Sequence, residues 1–164
     1  MCSEQSSAPQ PEQTGEDSPW LSDREQTTWR AWLNVHTQAN AALAQQLSAE
    51  SPLSLADYEV LVNLSEAPDH RQRIVALANA IQWGRSRLSH QITRMEKRGL
   101  VRRESCSADG RGAFVVLEPA GLEAITAAAP GHAAKVRELF FDRLSASELE
   151  EFNAILSKLS EQFD

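Results

Sequence analysis

The sequence has only two cysteines, Cys2 and Cys106, which lie far apart along the chain. This spacing excludes a disulfide framework, and no C-x-x-C pair indicates a zinc site. The four histidines show no H-x-x-x-H spacing, and there is no phosphate-binding loop of the G-x-x-x-x-G-K kind. Ser89 and His90 are neighbours, so on a helix their side chains diverge by about 100° and cannot act as nucleophile and base. We therefore predict no metal, no cofactor and no enzymatic activity.

Long apolar runs are also absent. No segment approaches the roughly 18 apolar residues that a membrane span needs, and the N-terminus lacks the basic and apolar regions of a secretory signal. We therefore expect a cytoplasmic protein with no membrane partner. Residues 1–19 are rich in Ser, Gln, Glu and Pro and have little to bury, which predicts a disordered tail. Residues 20–164 remain as one folded domain.

The chain has few basic residues outside one region. Its net charge is −7, which by itself argues against a polyanionic partner. Residues 71–111, however, hold ten basic and three acidic side chains, so this stretch carries +7 and the remainder carries −14. An acidic body with one basic region indicates a protein that approaches an anionic surface from one side.

Apolar residues recur at helical spacing over most of the chain, which predicts a mainly α fold. Terminal helical regions are expected over about 22–48 and 119–163. Capping boxes start helices at Ser22 with Glu25 and at Ser145 with Glu148. The Pro-Gly pair at 130–131 is expected to kink or break the second region. Both regions carry apolar stripes without a local partner, so we expect them to pack on each other and on a second copy of the chain.

The middle of the chain, about 54–117, combines helices with a small β-hairpin. Three helices are expected here: a second from Ser54, a third from Ile74 after a linker at 69–73, and a fourth from Arg85 to about Arg98. Gly99 ends the fourth helix, as glycine often does. Two β-prone runs, 100–104 and 113–117, then flank a loop containing Asp-Gly and predict the hairpin.

The fourth helix has two unlike faces. At about 100° per residue, Leu88, Ile92 and Met95 fall in one narrow sector, which predicts that they are buried. A thin apolar side and a broad face of donors are what a helix needs to lie in the major groove of DNA. An ordinary solvated face is the alternative, but such a face usually mixes charges, and this one has Glu96 as its only acid. The predicted DNA-binding residues on the helix are Arg85, Ser86, Arg87, Ser89, His90, Thr93, Arg94 and Lys97.

The loop of the hairpin carries Asp109 and Arg111 among small residues. An arginine on a narrow hairpin can enter the minor groove, where the negative potential favours it. Pairing of Arg111 with Asp109 is a simpler interpretation, but the two are compatible because such a pair would hold the loop rigid. Asp109 and Arg111 therefore complete the predicted DNA-binding set.

This order of features resembles the bacterial MarR family of winged helix-turn-helix regulators. The similarity runs from about Trp29 to the C-terminus and is most specific in the fourth helix, in the D-G-R-G motif from Asp109, and in the run from Leu117 to Gly121. The resemblance implies a winged helix-turn-helix with N- and C-terminal dimerisation helices. Glu118 stands where the family usually has Thr, so the resemblance does not say what caps the fifth helix.

The resemblance also implies a function. A homodimer would read a pseudo-palindromic operator in double-stranded DNA, with half-sites about 34 Å apart. Each protomer would place its fourth helix in the major groove and Arg111 in the minor groove. The regulator would be a repressor released by a small-molecule ligand.

The effector implied by the resemblance is a small aromatic or lipophilic anion bound between the DNA-binding lobe and the dimerisation helices. Residues that would line such a site are Trp29, Trp32, His36 and Tyr58. Their spacing is equally that of an ordinary core, and the sequence alone favours a core.

Two other functions are compatible with the sequence. Cys106 lies on the predicted hairpin, where oxidation would add bulk beside DNA and make a thiol redox sensor; an inert thiol is the simpler interpretation. Alternatively, the basic face would dock on an acidic protein, and the winged helix would not bind DNA at all.

We predict that Arg111→Ala weakens DNA binding, and most strongly at sites with an A·T-rich flank, because a narrow minor groove attracts arginine. Mobility shifts on duplexes that differ only in the flank test this. Equal weakening on A·T-rich and G·C-rich flanks would contradict minor-groove reading by Arg111.

Overall fold

The computed structural model describes residues 19–105 and 113–163. Within these ranges the elements are α1 (Asp23–Glu50), α2 (Leu55–Glu66), β1 (Arg71–Arg73), α3 (Ile74–Ala80), α4 (Arg85–Lys97), β2 (Val101–Ser105), β3 (Ala113–Leu117), α5 (Pro119–Val136) and α6 (Ala146–Ser160). The chain divides into two compact units, Met1–Ala39, which includes the start of α1, and Asn40–Asp164, which includes the rest.

Serine hydroxyls fix the start of three helices, as predicted. The Ser22 hydroxyl and backbone N–H both donate to the Glu25 carboxylate ahead of α1, at 2.7 and 2.8 Å. Ser145 and Glu148 form a complete capping box for α6. The box at α2 joins Ser54 to Asp57, whose N–H donates to the Ser54 hydroxyl at 3.1 Å. Because caps define where a helix begins, these short patterns position long segments of the fold.

The sheet has three strands rather than the two of the predicted hairpin. Its order is β1-β3-β2, with both pairs antiparallel. The interpretation of 69–73 as a linker was therefore wrong for Arg71–Arg73, which forms β1. Three polar residues give no alternation of apolar and polar positions, so the sequence carries no strand signal there. The strand is held instead by its ladder with β3 and by the Phe114 ring, which lies 4.2 Å from the Arg71 guanidinium.

One hydrophobic core occupies the unit Asn40–Asp164. It joins the end of α1 to α2, α3, α4, the sheet and α5. Side chains that are fully buried are Leu47, Leu53, Val60, Leu61, Leu64, Leu77, Leu88, Ile92, Met95, Val101 and Val115. The apolar side of α4 is thus fixed against the body of this unit, which leaves its opposite side to solvent.

α5 is a continuous helix from Pro119 to Val136 and passes through Pro130. A kink or a break was expected at 130–131, and the break was wrong. A proline inside a helix removes one backbone donor and crowds the preceding turn. Packing on both sides of the proline keeps the helix intact here, since Ile125 is buried before it and the His132 ring lies 4.1 Å from the Tyr58 ring after it.

Apolar side chains remain exposed on both terminal helices. On the part of α1 within Met1–Ala39, Trp29 is 52% exposed and Trp32 is 45% exposed. On α6, in the other unit, Ile155 and Leu159 are each more than half exposed. Apolar surface of this kind on a single chain usually marks a contact with another surface.

Gly121 lies where α5 passes close to the backbone of Leu100, the residue before β2. A Cβ at this position would lie 2.1 Å from the Leu100 carbonyl oxygen and 2.9 Å from a Leu117 methyl group. Only hydrogen fits against that backbone oxygen. At the start of α5, Glu118 makes no side-chain cap and instead accepts a hydrogen bond from Arg102 at 2.9 Å.

We predict that Gly121→Ala lowers the free energy of unfolding by about 1–3 kcal/mol, because the added methyl group must displace backbone. In a helix with free space at this position, the same change would raise the free energy of unfolding by about 1 kcal/mol. The sign of the measured change therefore distinguishes the two cases. Urea unfolding followed by circular dichroism measures it. Glu123→Ala, at an exposed position of α5, serves as the control and should change stability by less than about 0.5 kcal/mol. A stabilised Gly121→Ala chain would contradict the close approach.

Candidate nucleic-acid interface

α4 is attached to the body by the three side chains that its periodicity singled out. Leu88, Ile92 and Met95 are completely buried, so the predicted apolar side is confirmed. The helix ends at Lys97, and Gly99 takes a positive φ of 71°, a conformation that suits glycine. Gln91 is also buried, which the sequence analysis missed.

The side of α4 opposite this attachment is an exposed line of polar residues. Ser86, His90, Thr93 and Lys97 follow one another at steps of four, three and four residues, so they lie along one edge of the helix. All four are exposed. This set is called the outer line below. Among residues 19–105 and 113–163, the Lys97 ammonium and the Arg85 guanidinium have no ion-pair partner within 4 Å.

Arg103 of β2 joins the sheet to one flank of α4. Its backbone N–H donates to the Glu96 carboxylate at 2.7 Å, and its guanidinium forms an ion pair with the other oxygen of that carboxylate. The same guanidinium donates to the Ser89 carbonyl oxygen at 2.9 Å and to the Thr93 hydroxyl at 3.1 Å. Glu96, the only acid on the helix, is therefore paired within the structure and does not oppose an anion at the outer line.

Asp57 of α2 holds the other flank of α4. Its side chain is almost fully buried and accepts a hydrogen bond from Gln91 Nε2 at 2.7 Å and one from Arg98 Nη1 at 2.8 Å. Arg98 also donates to the Pro52 carbonyl oxygen at 2.6 Å. One carboxylate thus caps α2 and fixes both the middle and the end of α4.

Asp57 stays charged despite its surroundings. Burial raises the pKa of this carboxyl group, but the hydrogen bonds and charge of Arg98 and the hydrogen bonds of Ser54 outweigh it, so that the pKa is lowered overall. Removing one member of a buried ion pair lowers stability strongly, because the charge of the other member is left buried without a partner.

Two arginines of the predicted set are oriented by neighbours on the protein. Arg94 Nη2 donates to the side-chain oxygen of Gln91, which is itself held by Asp57. The Arg87 guanidinium lies 3.9 Å from the centre of the Trp83 ring, within the range of a cation–π contact. Both remain exposed. Their positive charge therefore flanks the outer line from fixed positions.

The basic side chains of residues 85–103 thus divide into two groups. Arg98, Arg102 and Arg103 pair with the carboxylates of Asp57, Glu104, Glu118 and Glu96. Their charge serves the structure. The basic side chains that remain exposed on α4 without a carboxylate partner among the described residues are Arg85, Arg87, Arg94 and Lys97.

The predicted ligand-binding residues are found in different units. Trp29, Trp32 and His36 lie on α1 within Met1–Ala39, where the Trp32 and His36 rings are 6.0 Å apart. The exposure of both tryptophans shows that they are not core of the single chain. Tyr58 lies on α2 in the other unit, half-buried against His132. Burial lowers the pKa of His132.

The predicted wing residues Asp109 and Arg111, and Cys106 with them, lie outside the described residues. In the part of the chain that is described, no helix is long and apolar enough to cross a membrane. The same ranges contain no group of three or more His, Cys, Asp or Glu side chains placed to hold a metal ion.

Sequence analysis missed the residues that fix α4 in place: Asp57, Gln91, Arg98 and Arg103. Two of them had a readable signal. Asp57 stands three residues after the serine that starts α2, which is the capping-box position. Gln91 lies about 60° from Leu88 around the helix, close to the buried sector. The ion pairs of Arg98 and Arg103 join distant or differently folded segments, and no local pattern indicates them.

A helix-turn-helix of α3 and α4, followed by β2 and β3, defines a winged helix-turn-helix protein. The family model for the MarR family matches residues 53–112. The transcriptional regulator HosA of Escherichia coli O127:H6 is 38% identical over 107 residues, which are 65% of this chain and 77% of HosA. The chain belongs to the MarR family.

Solved structures of the same family are similar over most of the chain. AbsC, a MarR family transcriptional regulator from Streptomyces coelicolor, is 44% identical, with a TM-score of 0.82 over 89% of this chain and 98% of AbsC. Sco3205, a MarR family transcriptional regulator from the same organism solved in complex with DNA, is 36% identical, with a TM-score of 0.84 over 90% of this chain and 92% of Sco3205.

We predict that Asp57→Asn lowers the free energy of unfolding at pH 7 by about 1–3 kcal/mol, because Arg98 loses its buried carboxylate. The pKa of Asp57 is lowered by folding, so its stabilising effect is present above the ordinary value of about 4 and is lost as the pH falls through the folded-state value. The difference between wild type and variant should therefore shrink below about pH 4. Denaturant unfolding at several pH values measures it.

Glu59→Gln is the matched control, since Glu59 lies on the same helix and none of the ion pairs among the described residues includes it. It should change stability by less than about 0.5 kcal/mol at either pH. An Asp57→Asn chain as stable as wild type at pH 7 would show that this carboxylate does not hold α4.

Proposed function

We propose that this MarR-family chain is a sequence-specific transcriptional regulator that binds double-stranded DNA through α4. The observation that carries the proposal is the outer line, a row of exposed polar side chains on a helix that is fixed on both flanks. Such a helix presents hydroxyl, imidazole and ammonium groups in a constant geometry, which recognition of base edges requires. Sco3205, which is 36% identical to this chain, was solved in complex with DNA, and this supports the same function here.

The contacts divide into two kinds by chemistry. Ser86, Ser89, His90 and Thr93 have the short polar side chains that reach base edges. Arg85, Arg87, Arg94 and Lys97 carry charges that suit phosphates or guanine. The proposed wing residues Asp109 and Arg111 would add the minor-groove contact.

We propose that the regulator acts as a homodimer on a pseudo-palindromic operator. The apolar side chains exposed on α1 and on α6 support a second copy as the covering surface. Twofold symmetry of the protein would then appear in the DNA as half-sites about one helical turn apart. Selection of bound duplexes from a random pool, with light scattering for the mass of the free protein, tests both points.

Repression relieved by a small aromatic or lipophilic anion completes the proposal. In the unit Asn40–Asp164, Tyr58, which is half-buried against His132, is the proposed contact of this effector. In this proposal the protein has one conformation that binds DNA and one that does not. An effector can release DNA only if it binds the second conformation more tightly than the first. Titration of a phenolic carboxylate against the protein–DNA complex, with Tyr58→Ala for comparison, tests this part.

We predict that DNA affinity falls steeply with salt and that Lys97→Ala makes the fall less steep. Each phosphate neutralised releases a counterion, so the slope of log affinity against log salt should drop by about 1 for one lost phosphate contact. Fluorescence anisotropy with a selected duplex at several salt concentrations measures the slope. Lys158→Ala, on the exposed surface of α6, is the control and should leave the slope unchanged.

If the chain shows no complex at low salt, either with the DNA upstream of its own gene or with any member of a random pool, the proposed function fails. A complex whose slope is the same for wild type and Lys97→Ala would instead remove Lys97 from the interface and leave DNA binding standing.

A further inference from the structure

We infer that Thr93 recognises the 5-methyl group of a thymine through its own methyl group. The inference rests on the proposed function and deepens it, because it assigns a base to one residue of the outer line. Thr93 differs from Ser86 and His90 in that line, since its polar atom is already occupied within the protein.

The Thr93 hydroxyl has two partners. It donates to the Ser89 carbonyl oxygen at 2.9 Å, and it accepts from Arg103 Nη2 at 3.1 Å. A hydroxyl has one hydrogen to donate and two lone pairs to accept with. Its only hydrogen is therefore used, and so is one of its lone pairs. The hydroxyl cannot donate to the acceptors that guanine, adenine or thymine show in the major groove.

Arg103 is held too firmly to release this hydroxyl easily. Its backbone N–H donates to Glu96 at 2.7 Å, its guanidinium pairs with the same carboxylate, and its Nη2 also donates to the Ser89 carbonyl oxygen at 2.9 Å. Its residue position is fixed as well, because Arg103 pairs with Val115 in the antiparallel ladder of β2 and β3. The sheet thus holds Arg103 in the position from which it donates to the Thr93 hydroxyl.

One lone pair of the hydroxyl and the methyl group of Thr93 remain for DNA; the lone pair can accept only from the amino groups of adenine and cytosine, so the methyl group is the part that suits thymine. The hydroxyl is directed back along the helix toward the preceding turn, and the methyl group takes another staggered position on the same Cβ. Thr93 is exposed on the outer line. In the major groove the thymine methyl is the apolar feature that such a group can contact. Ser86 and His90 are exposed and have no hydrogen bond to the other described side chains, so their donors stay available for polar base edges.

Replacement of thymine by uracil tests the inference, because it removes the methyl group and nothing else. In a selected duplex, one thymine per half-site should be sensitive, with binding by the wild-type chain about 3- to 5-fold weaker when uracil replaces it, as expected for one buried methyl group. Thr93→Val keeps a methyl group and lacks the hydroxyl, so it should retain this preference for thymine. Thr93→Ser keeps the hydroxyl and lacks the methyl group, so it should bind the thymine and uracil duplexes equally.

Thermal unfolding of both variants shows that they are folded, and binding is compared only at matched fractions of folded protein. The inference is overturned if Thr93→Ser keeps the thymine preference, because a group other than the Thr93 methyl would then contact the base, and it is overturned if Thr93→Val loses that preference. It is also overturned if no uracil substitution weakens binding by the wild-type chain. Absence of any DNA binding by the wild-type chain would instead overturn the proposed function, and the inference with it.

Discussion

The position of α4, the helix proposed to bind DNA, depends on one buried carboxylate. Asp57 caps α2 through Ser54 and accepts hydrogen bonds from Gln91 and Arg98 of the α4 region. Leu88, Ile92 and Met95 bury the helix, but apolar contacts are non-directional and would tolerate some rotation. The hydrogen bonds of Asp57 to Gln91 and Arg98, which lie seven residues apart, do not tolerate such a rotation. The polar contact thus sets the angle at which the exposed side of α4 faces outward.

The opposite flank of α4 is fixed in the same way by the ion pair of Glu96 with Arg103. Between the two flanks lies the outer line, whose residues are exposed. This arrangement explains how a protein with a net negative charge can bind a polyanion. The carboxylates of Asp57, Glu96 and Glu118 are paired with arginines that have structural roles, and the charges left on α4 are positive. A fixed helix of this kind is preorganised for recognition.

Local patterns predicted the parts of this structure that short-range physics determines. The serine caps at Ser22 and Ser145 and the buried side of α4 follow from spacing alone, and all are confirmed. Strand β1 was not predictable, because its stability comes from a ladder with residues more than forty positions away. The passage of α5 through Pro130 was not predictable either, since packing on Tyr58 and the core outweighs the local cost of proline. The ion pairs that orient α4 were not predictable either, because Asp57 is far from Arg98 in the sequence and because Glu96 and Arg103 lie on a helix and a strand, respectively.

The central claim is that α4, held on both flanks, presents the outer line to DNA. A crystal structure of the full chain bound to a duplex selected from a random pool tests it most directly. The account predicts α4 in the major groove, with Ser86, His90, Thr93 and Lys97 in contact with bases or phosphates and with the Asp57–Arg98 and Glu96–Arg103 pairs intact. A duplex bound to another surface, or an α4 in the groove with both ion pairs broken, would contradict it.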